Sequence, residues 1–548
     1  MGGVRRGPGD PADTAGHHSD RAVIRQSGLT GVAAAVSVGV GLLLDITIAA
    51  RFGAGRNTDA FFVAARIPLG LVAVVLVVAN QALVAAFRTS MTANGDAATS
   101  RLVSRIVGVV IVAGAAFVVL ASLLATPLIR ITAPGISSNE VSTAATMVPI
   151  VFAMVPLVAV SEVMRAFCNA RYAFIVPALM NVVLSGVAAT VILVGPRHVI
   201  AVVAWGYLAG AVGQVSFMTA MAVRRGLRLR PVLDLKNQEL RAVGKLSVRP
   251  FVAAGCNPLA RLGEQLMVSF LPVGSITILN YGYRLISAIG GTIFFRSVVV
   301  ALVPRLTEAH IRGDNRETLR ITGLGLRIML ALSVPLTVFL AVLAEPAALT
   351  VFQRGNFTRA SASLLGVILA VYSISLVGSA LQRVLLAPFF ARLDTRTPLH
   401  NTVYGVLANL ALLPLLTLPF GWGNRNAIIG IALAYSLAQF VNVTHAWYCL
   451  RRAIGSPARG LARLAPRLVA ASVISGAAMV GAVLLFQLDD SLSTGTLFLR
   501  TAVTGLGGVA ILALAMLLFA GKDLSTTWRS LRRRPATAAL QADAERLS

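Results

Sequence analysis

Residues 60–87 read AFFVAARIPLGLVAVVLVVANQALVAAF, 28 positions carrying one charge, Arg66. A helix that spans a bilayer takes about 20 predominantly apolar residues, so this run is long enough to cross, and the arginine inside it needs a reason. Working outward, apolar runs bounded by charge or by Pro/Gly clusters recur near 28–50, 102–127, 145–167, 173–195, 199–223, 250–272, 276–303, 325–344, 363–390, 397–419, 426–450, 468–486 and 497–520. With 60–87 that makes fourteen transmembrane helices, an all-α polytopic membrane protein. Composition agrees. The 548 residues are 57% apolar and only 13% charged, with a mean hydropathy of +0.80, whereas soluble domains carry about a quarter charged residues. Pro68, Pro156, Pro177, Pro250, Pro258 and Pro335 fall inside or at the ends of spans, which helix neighbours or water can accommodate.

The formal charge of +27 would suggest nucleic acid in a soluble chain, but its location argues otherwise. Loops on the same side as the N-terminus hold 35 of the 48 Lys and Arg residues, those on the other side 8, and spans 5. Basic residues mark cytoplasmic loops, so both termini are expected in the cytoplasm, with anionic lipid headgroups, not nucleic acid, as the counterpart.

The organisation expected is a disordered cytoplasmic tail (1–27), an N-lobe of six helices (28–223), a basic cytoplasmic linker (224–249), a C-lobe of six helices (250–450), a basic loop with two further helices (451–520) and a cytoplasmic tail (521–548). The lobes read as a repeat. DAFFVAARIPLGL in span two aligns with ILNYGYRLISAI in span eight, which places Arg66 opposite Arg284. Ala170-Arg171 followed by Pro177 recurs as Ala391-Arg392 followed by Pro398. Six being even, the lobes insert in the same orientation.

Enzyme signatures are missing: there is no HExxH, no GxxxxGK[ST], no GxSxG and no GxGxxG opening a helix. Cys168, Cys256 and Cys449 are far apart and read as small apolar fillers, and the six histidines show no metal-ligand spacing beyond the adjacent tail pair His17-His18. No cofactor is expected. Without an ATPase motor, uphill transport draws on the membrane potential, an ion gradient or downstream consumption of the cargo.

The candidate site residues are the ionisable groups inside spans, each arginine there costing about 2.5–3.5 kcal/mol on insertion scales. Arg66 and Arg284, at equivalent places in two lobes, are expected to face each other, and two guanidiniums converging on one cavity call for an anion; arginine suits bidentate phosphate binding. Snorkelling of Arg66 to an interface is the bland alternative. Arg296, twelve residues after Arg284, would extend the pair into a cationic ladder. Arg261 and Glu264 are three apart and can neutralise each other, and Glu162 reads as a local partner of Arg165. Asp45 has three readings open: a partner for Arg66 or Arg284, a ligand for a coupling cation, or a carboxylate meeting water at the outer surface. Arg383, beside Gln382, either lines the C-lobe interior or serves helix packing.

The motifs FGAGRNTDAFFVAARIP (52–68), ITAPG (131–135), LNYGYRL (279–285), LVPRL (302–306), VFQRGNFT (351–358) and FFARLDTRTP (389–398) resemble, in order over roughly residues 28–450, the lipid II flippase (MurJ/MviN) family of the multidrug/oligosaccharidyl-lipid/polysaccharide exporter superfamily. The resemblance implies two lobes in a V around a cationic cavity in the bacterial plasma membrane. It implies alternating access that carries a polyprenyl-pyrophosphate-linked peptidoglycan precursor to the outer leaflet; the drive expected is the membrane potential or a monovalent cation gradient, and cell-wall synthesis proteins are expected as further partners. Residue by residue, Asp45 matches the family's acidic position in span one, Asp59 the one before span two, Glu264 an acidic position in span seven, and Arg284 the essential arginine of span eight. Leu44, Val38, Val72 and Ala73 stand where members usually carry arginine. Lipid II is the first expectation for the cargo; another undecaprenyl-linked polysaccharide, or a non-transporting paralogue that scaffolds envelope assembly, is the alternative. A cation-coupled drug exporter would need a cavity of aromatics and carboxylates, against the 6% aromatic content.

Overall fold

The computed structural model describes residues 11–230, 232–234, 236–290, 295–421, 423–457, 461–486 and 494–532, and among them there is no β-strand. Seventeen α-helices follow one another. They are α1 (Pro11–Phe52), α2 (Arg56–Val78), α3 (Val84–Leu123), α4 (Ala125–Thr132), α5 (Ser138–Ala170), α6 (Ile175–Ala178), α7 (Met180–Val194), α8 (Ala201–Arg224) and α9 (Gln238–Val268). Then come α10 (Ser275–Ala288), α11 (Phe295–Ile311), α12 (Asn315–Phe352), α13 (Arg359–Ala391), α14 (Arg396–Thr417), α15 (Ala427–Ala453), α16 (Leu461–Leu485) and α17 (Thr494–Arg532). A π-helical turn, Ala79–Leu83, joins α2 to α3.

Among the described residues, eleven helical stretches are long and apolar enough to cross a bilayer, against fourteen expected. One of them, Arg56–Leu123, runs 68 residues, about 100 Å at 1.5 Å per residue and so more than one crossing of a core about 30 Å thick. Gly95, at φ 76° and ψ 178°, breaks it, which accounts for two of the expected spans. The stretch expected as span seven is not among the eleven, and the stretch expected as span eight includes residues outside the described ones. Helix α9 carries Arg241, Lys245, Arg261 and Glu264 along its length. In the eighth, α-helix is described to Ala288 and again from Phe295, and residues 291–294, on which one continuous face from Arg284 to Arg296 depends, lie outside the described residues. The N-terminal tail also differs from expectation: α1 begins at Pro11. Proline is tolerated in a first turn, and no other follows before Pro68 to stop the helix. Residues 1–10 and 533–548 lie outside the described residues.

The chain forms two compact units, Met1–Ser269 and Phe270–Ser548. In the first, α5 packs on α2, α3 and α8, with α7 between α8 and α1. Helix α9, expected in the C-lobe, packs on α2 in this unit, where Gly70 brings its backbone so close to Pro258 that an added Cβ would stand 3.1 Å from the proline Cβ. The stretch expected as a linker is strapped to α3. Ser100 Oγ accepts from Arg228 N, Ser104 Oγ from Arg230 N, Arg105 pairs with Asp234 at 3.2 Å, and Leu227 is buried. In the second unit α13 lies against α10, α12 and α15, α14 covers α15, and α16 and α17 pack together and against α12. Small residues permit the close approaches, as is usual between membrane helices: a Cβ on Gly366 would sit 2.5 Å from the Glu345 Cα.

Each unit repeats one helix with its caps. Helices α5 and α13 are both 33 residues long and 221 positions apart. Ser137 caps the first, its Oγ accepting from Glu140 N at 3.4 Å; Thr358 caps the second, accepting from Ser361 N at 3.3 Å. Such caps satisfy donors the helix itself leaves open. Both helices end on non-glycine residues in the left-handed region, Tyr172 (φ 58°) and Leu393 (φ 57°), where Ala173 N donates to Cys168 O and Asp394 N to Phe389 O, the six-to-one closure of a Schellman turn. The arginine before each turn is tethered alike. Arg171 reaches Asp96 just after Gly95, and Arg392 reaches Asn315 soon after Gly313, both glycines having positive φ.

Candidate functional site

The charged residues singled out in the sequence divide between the units. In the first, Asp45 on α1 is 5% exposed and Asp59 in the first turn of α2 is 3% exposed, so Asp45 is buried and not at the surface. An acid in a first helical turn also suits the positive end of the helix dipole. Helix α1 is held against α6 from its interior and against α7 at its C-terminal end. Ser37 Oγ donates to Ala178 O at 2.6 Å, and the Arg51 guanidinium donates to Ile192 O and Gly195 O.

Arg66 is half-buried on α2, and its Nε donates to Gln265 Oε1 on α9 at 2.6 Å. That bond uses one of the five N–H donors a guanidinium carries. Next to Gln265, Glu264 is 1% exposed and forms an ion pair with Arg261 one turn back, the mutual neutralisation that their spacing suggested. The sequence placed Arg66 and Glu264 in different lobes; the fold brings both to the α2–α9 packing. Gln265 itself, completely buried, was missed. The signal was there in Glu264-Gln265, an adjacent polar pair in a stretch expected to span. Its Nε2 is buried with no hydrogen-bond acceptor among the described residues. Glu162 and Arg165 form the expected local pair, and Arg165 Nη1 also donates to Asn80 Oδ1 in the π-helical turn at 2.8 Å.

In the second unit Arg284 is half-buried on α10 and Arg383 is exposed on α13. Arg296 falls in the first turn of α11, its side chain outside the described residues. Gln382, beside Arg383, is drawn into packing: its Nε2 donates to Asn401 Oδ1 at 2.6 Å, Asn401 Nδ2 donates to Asn442 O at 2.7 Å and lies 3.1 Å from His445 Nδ1. Cys449 Sγ is 3.5 Å from His445 Nε2, a polar contact that the reading as an apolar filler did not foresee. This network joins α13, α14 and α15, and its asparagines, isolated within apolar runs, were the overlooked signal.

A membrane protein whose intramembrane charge is dominated by arginine is suited to hold an anion and to shield it from hydrocarbon. Comparison with known proteins bears on what it carries. The family model described as lipid II flippase MurJ matches residues 48–521. The chain belongs to that family. A probable lipid II flippase MurJ of Vibrio cholerae serotype O1 is 27% identical over 508 residues, covering 88% of this chain and 94% of its own. The lipid II flippase MurJ of Burkholderia cenocepacia is 27% identical over 542 residues, covering 93% and 96%. In fold, the chain is similar to a lipid II flippase MurJ solved in an inward closed conformation, with a TM-score of 0.74 at 19% identity over 90% of this chain and 99% of that one. An inward-facing multidrug MATE transporter of the MOP superfamily superposes with a TM-score of 0.65 at 13% identity, over 76% and 98%. The multi-pass all-helical fold is therefore the family's, and the named relatives and neighbours are flippases and a transporter, not enzymes.

Proposed function

We propose that this protein is a flippase that moves lipid II, a polyprenyl-pyrophosphate-linked cell-wall precursor, from the inner to the outer leaflet by alternating access for peptidoglycan synthesis. Family membership over residues 48–521 is the observation that carries the reading. Arg66, Arg284 and Arg296 hold the pyrophosphate, because guanidinium groups bind phosphate oxygens in pairs and a charge so held crosses the hydrocarbon region without being exposed to it. The prenyl tail stays in lipid. Asp45 and Asp59 set the charge balance around the arginines, Glu264 and Arg261 hold each other neutral on α9, and Arg383 is a secondary contact. No cofactor takes part; the membrane potential or a monovalent cation gradient supplies the free energy. The protein works in the bacterial plasma membrane with both termini in the cytoplasm, as the 35-to-8 division of basic residues supports, and it hands its cargo to cell-wall synthesis proteins.

The test is complementation. With the resident lipid II flippase of a tractable bacterium depleted, expression of this chain should restore growth and outer-leaflet exposure of lipid II. Arg284→Ala and Arg66→Ala should abolish both at unchanged membrane abundance. A well-expressed chain that fails to rescue would refute lipid II as the cargo and point to another polyprenyl-linked glycan, the reading that fits the apolar, buried Leu44 where the family resemblance leads to an expectation of arginine.

A further inference from the structure

A cavity of about 610 Å³ opens in the first unit where the ends of α3, α5 and α8 meet. Its charged lining is Arg88, Arg171, Arg225 and a single acid, Asp96. Arg88 lies in α3 and Arg171 and Arg225 cap α5 and α8, in three sequence stretches that the charge bias assigns to the side of the termini, and the fold brings them together. Arg171 is committed to structure, with Nη2 on Asp96 Oδ1 at 2.6 Å and Nη1 donating to Arg225 O at 2.6 Å. Arg88 is not. Its guanidinium carbon lies 4.4 Å over the Tyr172 ring, which leaves its donor edges unused by that contact, and its Nε is buried with no acceptor among the described residues; the Nε of Arg171 is in the same condition. A buried N–H without an acceptor costs free energy, and an anion in the cavity would supply one.

The second unit acts as an internal control. It repeats the helix, the left-handed turn and the arginine tether at Arg392 and Asn315, so those features serve the fold alone. At the positions of the cationic lining it has Leu306 for Arg88, Leu393 for Tyr172 and, at the α15 C-cap, Ile454 where α8 is capped by Arg225. The turn therefore needs none of these three groups. The stacked arginine and the arginine at the α8 C-cap are additions of the first unit, and the cavity they line has a volume within the range of ligand sites.

We infer that this cavity is a binding site for a phosphate-bearing anion, separate from the intramembrane arginines proposed to hold the cargo. Arg88 and Arg225 supply the hydrogen bonds, and Tyr172 holds Arg88 in place. The source the surroundings favour is the headgroup of an acidic phospholipid. Tyr172 is 66% exposed and Phe174 38% exposed, in an edge-to-face pair with centroids 6.3 Å apart, and exposed aromatics beside cationic groups are the composition of a membrane–water interface.

The test uses the full chain in detergent with short-chain phosphatidylglycerol and phosphatidylcholine, bound lipid being counted by native mass spectrometry. The wild-type chain should retain phosphatidylglycerol in preference to phosphatidylcholine. Arg88→Gln with Arg225→Gln, which spares the Arg171–Asp96 tether, should weaken phosphatidylglycerol binding at least about tenfold, the effect of losing a charge-assisted hydrogen bond, at an unchanged melting temperature. Removing the same charge in the second unit, Arg305→Gln with Arg451→Gln, should leave binding as it was. Inorganic phosphate separates the sources: displacement of the lipid by millimolar phosphate assigns the site to a free anion, and resistance assigns it to the headgroup. Undiminished selectivity in the first double variant, or an equal loss in the second, would overturn the site.

Discussion

Breaking the Arg261–Glu264 pair separates a packing role from a transport role. The two carboxylate and guanidinium groups sit one turn apart on α9, with side chains 11% and 1% exposed. Removing one partner strands the other's charge among packed helices, a change that costs about 3–5 kcal/mol in buried pairs. The lower end applies here, since polar contacts between membrane helices are worth less than their burial suggests. At about 2–4 °C per kcal/mol for units of this size, Glu264→Gln should lower the melting temperature of the purified protein by on the order of 10 °C. Glu264→Leu combined with Arg261→Met removes both charges and keeps the volume, so it should recover most of that loss, because well-packed apolar replacements of buried pairs are close to neutral. The thermal series is read together with lipid II exposure in the complementation strain. If the pair serves packing, the double variant is stable and active. Thermal losses that simply add across the two sites would refute the pairing argument, and a stable double variant without transport would refute the assignment of Glu264 to packing.

Three further outcomes follow from the same geometry. Ser137→Ala and Thr358→Ala, which remove equivalent caps from α5 and α13, should each cost about 1 kcal/mol, measured by thermal unfolding of the two single variants side by side. Gly366→Val, whose Cβ would stand 2.5 Å from the Glu345 Cα, should force α12 and α13 apart and cost about 1–3 kcal/mol or more, seen as lost abundance in membranes. Burial works to raise the Asp394 carboxyl, but donation from the Thr397 hydroxyl and N–H and from Arg396 N–H, with the Arg396 charge, wins and holds it below the ordinary aspartate value. The stability it contributes is therefore complete above the unfolded value near 4 and is lost as pH falls from there through the folded one; Asp394→Asn should lack this step, as acid titration of thermal stability would show.

What the sequence made legible was local. The 221-residue spacing of Ala170-Arg171 and Ala391-Arg392 anticipated two helices matching in length, capping and left-handed ends, because caps and turns are written in a handful of neighbouring residues. The ion pairs at Arg261–Glu264 and Arg165–Glu162 were equally readable, being set by helix spacing alone. The allocation of α9 was not. Counting helices in sixes put it in the second lobe, but its partner is chosen by a contact 188 residues away in the chain, where Gly70 admits Pro258 and Arg66 finds Gln265.

The same distinction explains the linker. A basic stretch between apolar blocks looks like a tether because its charge says nothing about its backbone. The backbone is what is bound here, Arg228 and Arg230 donating N–H groups to serines on α3 while Val232 lies so close to Gly108 that an added Cβ would be 2.6 Å from its carbonyl oxygen. Main-chain donors and acceptors are the same in every residue, so this docking leaves its trace only on the partner, as a serine at 100, a serine at 104 and a glycine at 108, one face of α3 at a spacing of four. That small polar stripe in an otherwise apolar helix marks where the chain must return, and it ties the basic segment and α9 behind it to the first unit, so that the division between the units falls after α9 and not before it.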